Sequence, residues 1–295
     1  MIKIAVVMVV RNEADVLGLN LHYHAAQGVR EFRIVDNGSS DGTPLLLREM
    51  AGRLNLVWSR DDGPFRQADM VTGLAREAFH AGADWVVPVD ADEFWSAGSL
   101  RLAEALQRSP ADMIAADVVN FIQERSAVGD GPAGLLTMLH RTEETRGDAD
   151  QTRELVEAGQ IAFVEIAYPR KCLFRSCQDL TIGAGAHDGS GVSDPVVESG
   201  QVVCLHAPIR SRQILDARAE HGRRVIEAGY PPSHGWQNQR WHRLQAAGRL
   251  DEEWVANSVR DSHLGDRRTP VVFDPRLRDS IRSVVTGDIQ AAALL

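Results

Sequence analysis

The sequence predicts an α/β fold, a mainly parallel central sheet flanked by helices, and three observations carry that expectation. Residues 2–10 form a β-branched, continuously apolar run of strand length, as in a strand covered on both faces. Strand-like and helix-like segments then alternate, which calls for crossover helices between parallel strands. With 295 residues, 44% of them hydrophobic and 25% charged, the chain has the apolar content to bury a large core.

The elements follow in order. Asn12-Glu13-Ala14-Asp15 opens a helix running to Gln27, with Val16, Leu19, Leu21 and Tyr23 near helical spacing and Gly28 as its stop. A second strand over 31–35 ends in Asp36-Asn37-Gly38-Ser39-Ser40-Asp41-Gly42-Thr43, a dense turn cluster. Pro44 suits the first turn of the next helix, whose body is 45–50. A third strand is expected at 54–58, a helix at 67–80 and a fourth strand at 85–89. Residues 126–160 carry many Gly, Asp, Glu and Thr with little periodicity and read as an insertion or mobile loop. Strand is expected again at 161–174 and 202–206, then helices at 214–228, 236–246 and 251–259. The expected organisation is one domain over 1–209 with a helical C-terminal extension, 210–295, packed on it.

Lys plus Arg number 32 against 41 Asp plus Glu, a formal charge of −9. Such a surface repels phosphate backbones and argues against nucleic-acid binding. An anionic ligand would need local cations or a metal. No apolar run approaches the roughly 18–20 residues of a membrane span, and the first run lacks a signal peptide's cleavage pattern. Cys172, Cys177 and Cys204 are an odd number and describe no disulfide framework, so reduced thiols in a cytoplasmic protein are expected.

The sharpest feature is Val89-Asp90-Ala91-Asp92-Glu93-Phe94-Trp95, where a buried strand ends in three carboxylates. Like charges this close cost stability unless a cation or donors sit among them. Ligands of open α/β sheets bind beyond the carboxyl ends of strands, and oxygen ligands suit Mg²⁺ or Mn²⁺. A helix N-cap is the plainer alternative, for which one Asp would be enough. The loop after the second strand is the other feature: Asp36 can accept hydrogen bonds from a ribose or base edge, while Asp41 and Thr43 read as caps of the next helix.

Together these pieces resemble the glycosyltransferase family 2 proteins of the GT-A fold. Val10-Arg11-Asn12-Glu13 after the first strand, the loop from Asp36 to Thr43 and Asp90-Ala91-Asp92 stand in that family's order and spacing. The Asp-Ala-Asp-Glu-Phe form, the upstream Gln67 and Cys204-Leu205-His206-Ala207-Pro208-Ile209-Arg210-Ser211 resemble the subgroup related to family 92. The resemblance implies a metal-dependent transfer of a sugar, with inversion, from a nucleotide-diphosphate donor (a UDP-sugar favoured) to a glycan or small-molecule hydroxyl. It places the donor against Val10, Arg11, Glu13, Asp36, Arg66, Asp90, Ala91 and Asp92, and Mn²⁺ or Mg²⁺ on Asp92 with Asp90 and His206. Arg170, Lys171 and Arg210 are alternative cations for the diphosphate. Asp188, in the Gly-rich stretch with His187, is the first candidate for the base, with Glu124 and Glu165 as rivals. Trp95 and His187 fall to the acceptor side, Trp95 being equally fit for the core. Two other classes stay in view: a nucleotidyltransferase, which would want a Gly-rich basic loop that Val10-Arg11-Asn12-Glu13 lacks, and a non-catalytic sugar- or partner-binding protein on a degenerate fold.

Overall fold

The apolar run at the start of the chain is strand β1 (Ile4–Val10), buried at every residue except the partly buried Val9. In the computed structural model, which describes residues 2–127, 131–147, 151–193, 196–233, 235–266 and 268–292, it is followed by α1 (Leu17–Ala26), β2 (Glu31–Asp36), α2 (Thr43–Ala51), β3 (Leu56–Arg60) and α3 (Gln67–His80). Next come β4 (Trp85–Pro88), β5 (Glu93–Ser96), α4 (Leu102–Arg108), β6 (Met113–Asn120), α5 (Pro132–Leu135), β7 (His140–Thr142) and α6 (Thr152–Glu157). β8 (Lys171–Arg175), β9 (Thr181–Ile182), β10 (Gly189–Ser190) and β11 (Val196–His206) precede the helices α7 (Arg212–Glu227), α8 (Trp236–Ala246) and α9 (Leu250–Ala256). β12 (Val259–Arg260), β13 (His263–Leu264), β14 (Thr269–Phe273) and α10 (Arg276–Ala292) complete the chain.

These elements divide between two compact units, one drawn from Met1–Val119, Pro169–His206 and Thr286–Leu295, the other from Asn120–Tyr168 and Ala207–Val285. The first unit carries an eight-stranded sheet in the order β3-β2-β1-β4-β8-β6-β11-β5. β1 runs parallel to β2 and β4, and β2 parallel to β3, through the α1, α2 and α3 crossovers. Beyond β4, β8 lies antiparallel to β4 and β6, and β5 antiparallel to β11. Helix α3 lays Val71, Leu74, Ala75 and Ala78 on Ala5, Val7, Val35, Val86, Cys172 and Phe174, the apolar floor beneath the strand ends. The expected α/β class and helix-flanked sheet are what forms.

Local chemistry explains where the elements depart from expectation. Helix α1 begins at Leu17, not Asn12, because residues 12–14 give their backbone N–H groups to the neighbouring loop: Asn12 to Ser39 Oγ (3.0 Å), Glu13 to Thr43 Oγ1 (3.0 Å) and Ala14 to Asp41 Oδ2 (3.2 Å). Asp41 also accepts the Thr43 N–H at 2.9 Å, the local turn role the sequence indicates. The strand expected over 161–174 is limited to β8, while Phe163–Glu165 is a short 3₁₀ turn closed by the Glu165 carboxylate accepting Ala162 N–H at 2.6 Å.

The stretch 126–160, read from the sequence as an insertion or mobile loop with room for a short helix, contains α5, β7 and α6 of the second unit, and 128–130 and 148–150 lie outside the described residues. β7 pairs antiparallel with β14 in a small sheet ordered β12-β13-β14-β7, so the C-terminal part is not purely helical. Ile122, Phe163, Val164, Ile214, Leu215, Trp241, Leu250 and Val259 share one core. The division therefore falls at 206/207 where the sequence suggested 209/210, and 120–168 belong with the tail, because their apolar residues are buried against it. Helices α7 and α8 meet where Gly222 has no side chain: a Cβ there would stand 2.0 Å from the Asn238 carbonyl oxygen. Gly222→Ala is expected to cost about 1–3 kcal/mol by overpacking, read as a melting temperature lower by about 5 °C. All three cysteines are free thiols. Among the described residues no helix is long and apolar enough to cross a membrane.

Candidate functional site

β1, β2 and β4 run parallel and end at one rim, with Val10 opposite Asp36 and Val7 opposite Pro88 in the register. The strand order reverses direction between β1 and β4, which opens a crevice at their carboxyl ends. On the β2 side, Asp36 is fully buried; its Oδ1 accepts Ser39 N–H at 3.0 Å and its Oδ2 meets Arg60 Nη1 at 3.2 Å. Arg60 sits directly opposite Asp36 in the β2–β3 register, a partner that spacing along the chain does not reveal. Arg11 donates to the Asn37 carbonyl at 2.6 Å. Gly38 has φ +72°, and a Cβ on it would lie 3.0 Å from Asp62 Oδ1 and 3.3 Å from Arg11 Nη1, so glycine lets the loop fold onto that wall. Val10 and Glu13 are buried, and Arg66 is exposed at the head of α3.

On the β4 side, three polar residues of α1 hold the acidic segment by its backbone. Asn20 Nδ2 donates to the carbonyls of Ala91 (2.9 Å) and Glu93 (2.7 Å), and Tyr23 OH donates to that of Trp95 (2.9 Å). Trp95 N–H donates to His24 Nε2 at 3.3 Å, so Nδ1 carries the imidazole proton and donates to Asn20, 2.9 Å from its carbonyl and Oδ1. Trp95 itself is fully buried, its indole N–H donating to Pro88 O at 3.3 Å. That corrects its expected acceptor-side role, since a sugar cannot stack on a ring with no exposed face.

Burial lowers the His24 pKa from 6.5 to about 4. The folded protein thus keeps the ring neutral where the unfolded chain protonates it, so the stabilisation is complete above pH 6.5 and is lost as pH falls toward 4. The total is about 3 kcal/mol. Melting temperature is expected to fall steeply across that window for the native chain, and His24→Gln, which does not titrate, is expected to flatten the slope.

The carboxylates do not gather around one point. Asp90 Oδ2 is 2.7 Å from Lys171 Nζ, and Asp90 Oδ1 accepts from Gln67 Nε2 at 3.2 Å. Glu93, buried at the start of β5, forms an ion pair with the same lysine and accepts Asp90 N–H at 3.0 Å. Burial pulls the Lys171 pKa down, but Asp90 and Glu93 outweigh it and hold the ammonium well above its ordinary value. Burial pushes the Glu93 carboxyl up, against Lys171 and with Asp90 and Asp92. Asp92 and His206 form a separate buried pair, Oδ1 to Nε2 3.7 Å, brought together because His206 ends β11 opposite Glu93 on β5. Among the described residues no three His, Cys, Asp or Glu side chains are arranged to hold a metal. Of the expected Asp90–Asp92–His206 set, Asp92 and His206 therefore lie together, while Asp90 meets Lys171, weighed from the sequence only as a phosphate contact.

Gln67 also joins the rim to the β9–β10 loop, its Oε1 accepting Gly185 N–H at 3.1 Å. That loop carries His187, whose Nδ1 lies 2.9 Å from the Arg170 carbonyl, and the exposed Asp188. Burial lowers the His187 pKa, so its ring is neutral. Gly183, Gly185, Ala186, Gln67, Asp90 and Lys171 help line a cavity with about 10 Å³ of room for water centres, enough for one water. The rival bases are differently engaged. Glu165 is fully buried and accepts from Thr269 Oγ1 (3.2 Å), while Glu124 lies 3.6 Å from His140 Nδ1. Arg170 pairs with Asp117 at 2.7 Å, and Arg210 is buried in the second unit.

The family model for glycosyl transferase family 2 matches residues 5–166, more than half of the chain. The chain belongs to that family. No curated protein matches the chain. Among solved structures, TarS 1-349 of S. aureus is 14% identical over 87% of this chain and 71% of its own, with a TM-score of 0.40. The same protein in complex with UDP-GlcNAc is 14% identical over 86% and 79%, with a TM-score of 0.38. The mannosyltransferase PcManGT from Pyrobaculum calidifontis, in complex with GDP-Man and Mn²⁺, is 19% identical over 99% and 78%, with a TM-score of 0.36. Each is a distant likeness and assigns no residue of this chain a role.

Proposed function

We propose that the protein transfers a sugar from a nucleotide-diphosphate donor, a UDP-sugar first among them, to a hydroxyl of a glycan or small molecule. The observation that carries this reading is the buried Asp92–His206 pair at the rim of a family 2 sheet. A carboxylate and an imidazole are donors that Mn²⁺ or Mg²⁺ accepts, and such ions commonly take one or two protein groups and complete their shell with phosphate oxygens and water. Asp92 and His206 therefore fit as the protein ligands. When bound, the ion would neutralise charge building on the leaving diphosphate.

The chain's own groups do the remaining work. Arg11, Arg60 and the loop organised by Asp36 form the nucleotide wall, and Arg66 at the head of α3 faces anions favourably placed at that helix terminus. Asp188 takes the proton from the acceptor hydroxyl as that oxygen attacks the anomeric carbon, giving inversion. His187, held neutral, stays a hydrogen-bonding group beside it. Calorimetric titration with UDP and GDP, each with and without Mn²⁺, tests the reading. Affinity that needs the ion is expected, and no affinity for either nucleotide in its presence overturns it.

A further inference from the structure

We propose that the β9–β10 loop is a subsite for two neighbouring hydroxyls of a sugar acceptor, Asp188 taking the reacting hydroxyl and His187 Nε2 accepting a hydrogen bond from the hydroxyl beside it. The inference rests on the transferase reading above and adds the substrate class, a sugar that presents a vicinal diol. His187 Nδ1 lies 2.9 Å from the Arg170 carbonyl, and a carbonyl can only accept, so Nδ1 carries the ring proton. Nε2 keeps its lone pair and, among the described residues, has no hydrogen-bond partner. Burial holds the ring's pKa below its ordinary value although Asp90 and Asp188 act the other way, so the lone pair persists at neutral pH. The exposed Asp188 carboxylate likewise has no hydrogen-bond or ion-pair partner among the described residues. Both groups accept hydrogen bonds, so together they select a ligand that donates two, as a diol does and an ionised carboxylate does not.

Glycine seats both side chains. Gly183 has extended backbone, φ −70° and ψ 169°, which any residue adopts, yet a Cβ on it would overlap Asp188 Oδ1 and stand 2.8 Å from Asp188 Cγ. A Cβ on Gly185 would stand 2.5 Å from His187 Nε2. The two glycines are two residues apart, at most about 7 Å. A hydrogen bond spans about 2.7–2.8 Å, so adjacent hydroxyls of one sugar ring can reach both acceptors. The loop is held from two sides. Helix α3 gives Gln67 Oε1 to the Gly185 N–H at 3.1 Å and Thr72 Oγ1 to the Ile182 N–H at 3.0 Å. Strand β8 gives the Cys172 thiol, which donates to the His187 carbonyl at 3.4 Å. The Gly183 N–H closes the turn on the Asp188 carbonyl at 3.0 Å. Acceptors fixed in this way bind a diol without the cost of first ordering the loop.

The test follows the His187 ring nitrogens in the full chain labelled with ¹⁵N-histidine, identified by their loss in His187→Ala. Methyl glycosides of glucose, galactose and mannose are titrated with and without UDP and Mn²⁺. At least one glycoside is expected to move the Nε2 resonance, and its 2-, 3- or 4-deoxy analogue that lacks a paired hydroxyl to bind about 10-fold more weakly. His187→Ala and Asp188→Ala are each expected to weaken glycoside binding by about 10-fold. Gly183→Ala, whose backbone suits alanine and whose methyl displaces the carboxylate, is expected to weaken it by a similar factor while UDP affinity stays within about 2-fold. The proposal is overturned if no glycoside moves Nε2 with UDP bound, if every deoxy analogue binds as well as its parent, or if Gly183→Ala binds glycosides as the native chain does. If neither UDP nor GDP binds in the presence of Mn²⁺, the transferase reading fails, and the titrations without nucleotide judge the loop by the same outcomes.

Discussion

Asp92→Asn is expected to lower sugar transfer by about 100-fold or more, the scale of removing one preorganised group that stabilises developing charge. The amide keeps the size of the carboxylate but loses its charge and much of its strength as a ligand. Burial at Asp92 argues that the effect will be specific, since the residue is 3% exposed and its Oδ1 lies 3.7 Å from His206 Nε2. Melting temperature is expected to hold or rise slightly, because one of three neighbouring negative charges is removed. The measurement is UDP release from a panel of UDP-sugars alongside a thermal melt. Undiminished turnover in the variant would remove Asp92 from the chemistry.

The largest expected loss of stability comes from Lys171→Met. Deleting one member of a buried ion pair leaves its partners uncompensated and costs about 3–5 kcal/mol, a fall of about 10 °C in melting temperature. Here Asp90 and Glu93 both lose their counter-ion, and Glu93 is 1% exposed. Lys171→Met with Glu93→Gln should recover most of the loss, since the double variant removes the buried charge along with its partner. If the two substitutions instead add, the lysine and the glutamate do not form one energetic unit. Thermal or denaturant melts of the four proteins in the cycle read this directly.

Much of the first unit was legible along the chain. The continuous apolar run of β1, the turn residues from Asn37 to Thr43 and the amphipathic spacing of α3 each specify their own element through local physics. The acidic segment marked the rim for the same reason: three adjacent carboxylates at the end of a buried strand demand compensation. The source of that compensation was not legible. Lys171 reaches Asp90 because β8 runs antiparallel beside β4, and Arg60 reaches Asp36 because β2 and β3 are in register. Asn20, Tyr23 and His24, which look like an ordinary helix face in sequence, prove to clamp the backbone of 91–95 once α1 lies over β5.

Residues 120–168 show the limit from the other side. Their weak periodicity hid short elements whose apolar residues are buried with those of a tail far along the chain, in one core around Phe163 and Trp241. Periodicity and turn chemistry report on neighbours a few residues apart, so the order of strands and helices and the place of the acidic rim could be read from the chain. Charge pairing, hydrogen-bond partners and the sorting of segments into two cores depend on residues that only folding brings within a few ångströms, and at this rim those contacts separate Asp90 from Asp92.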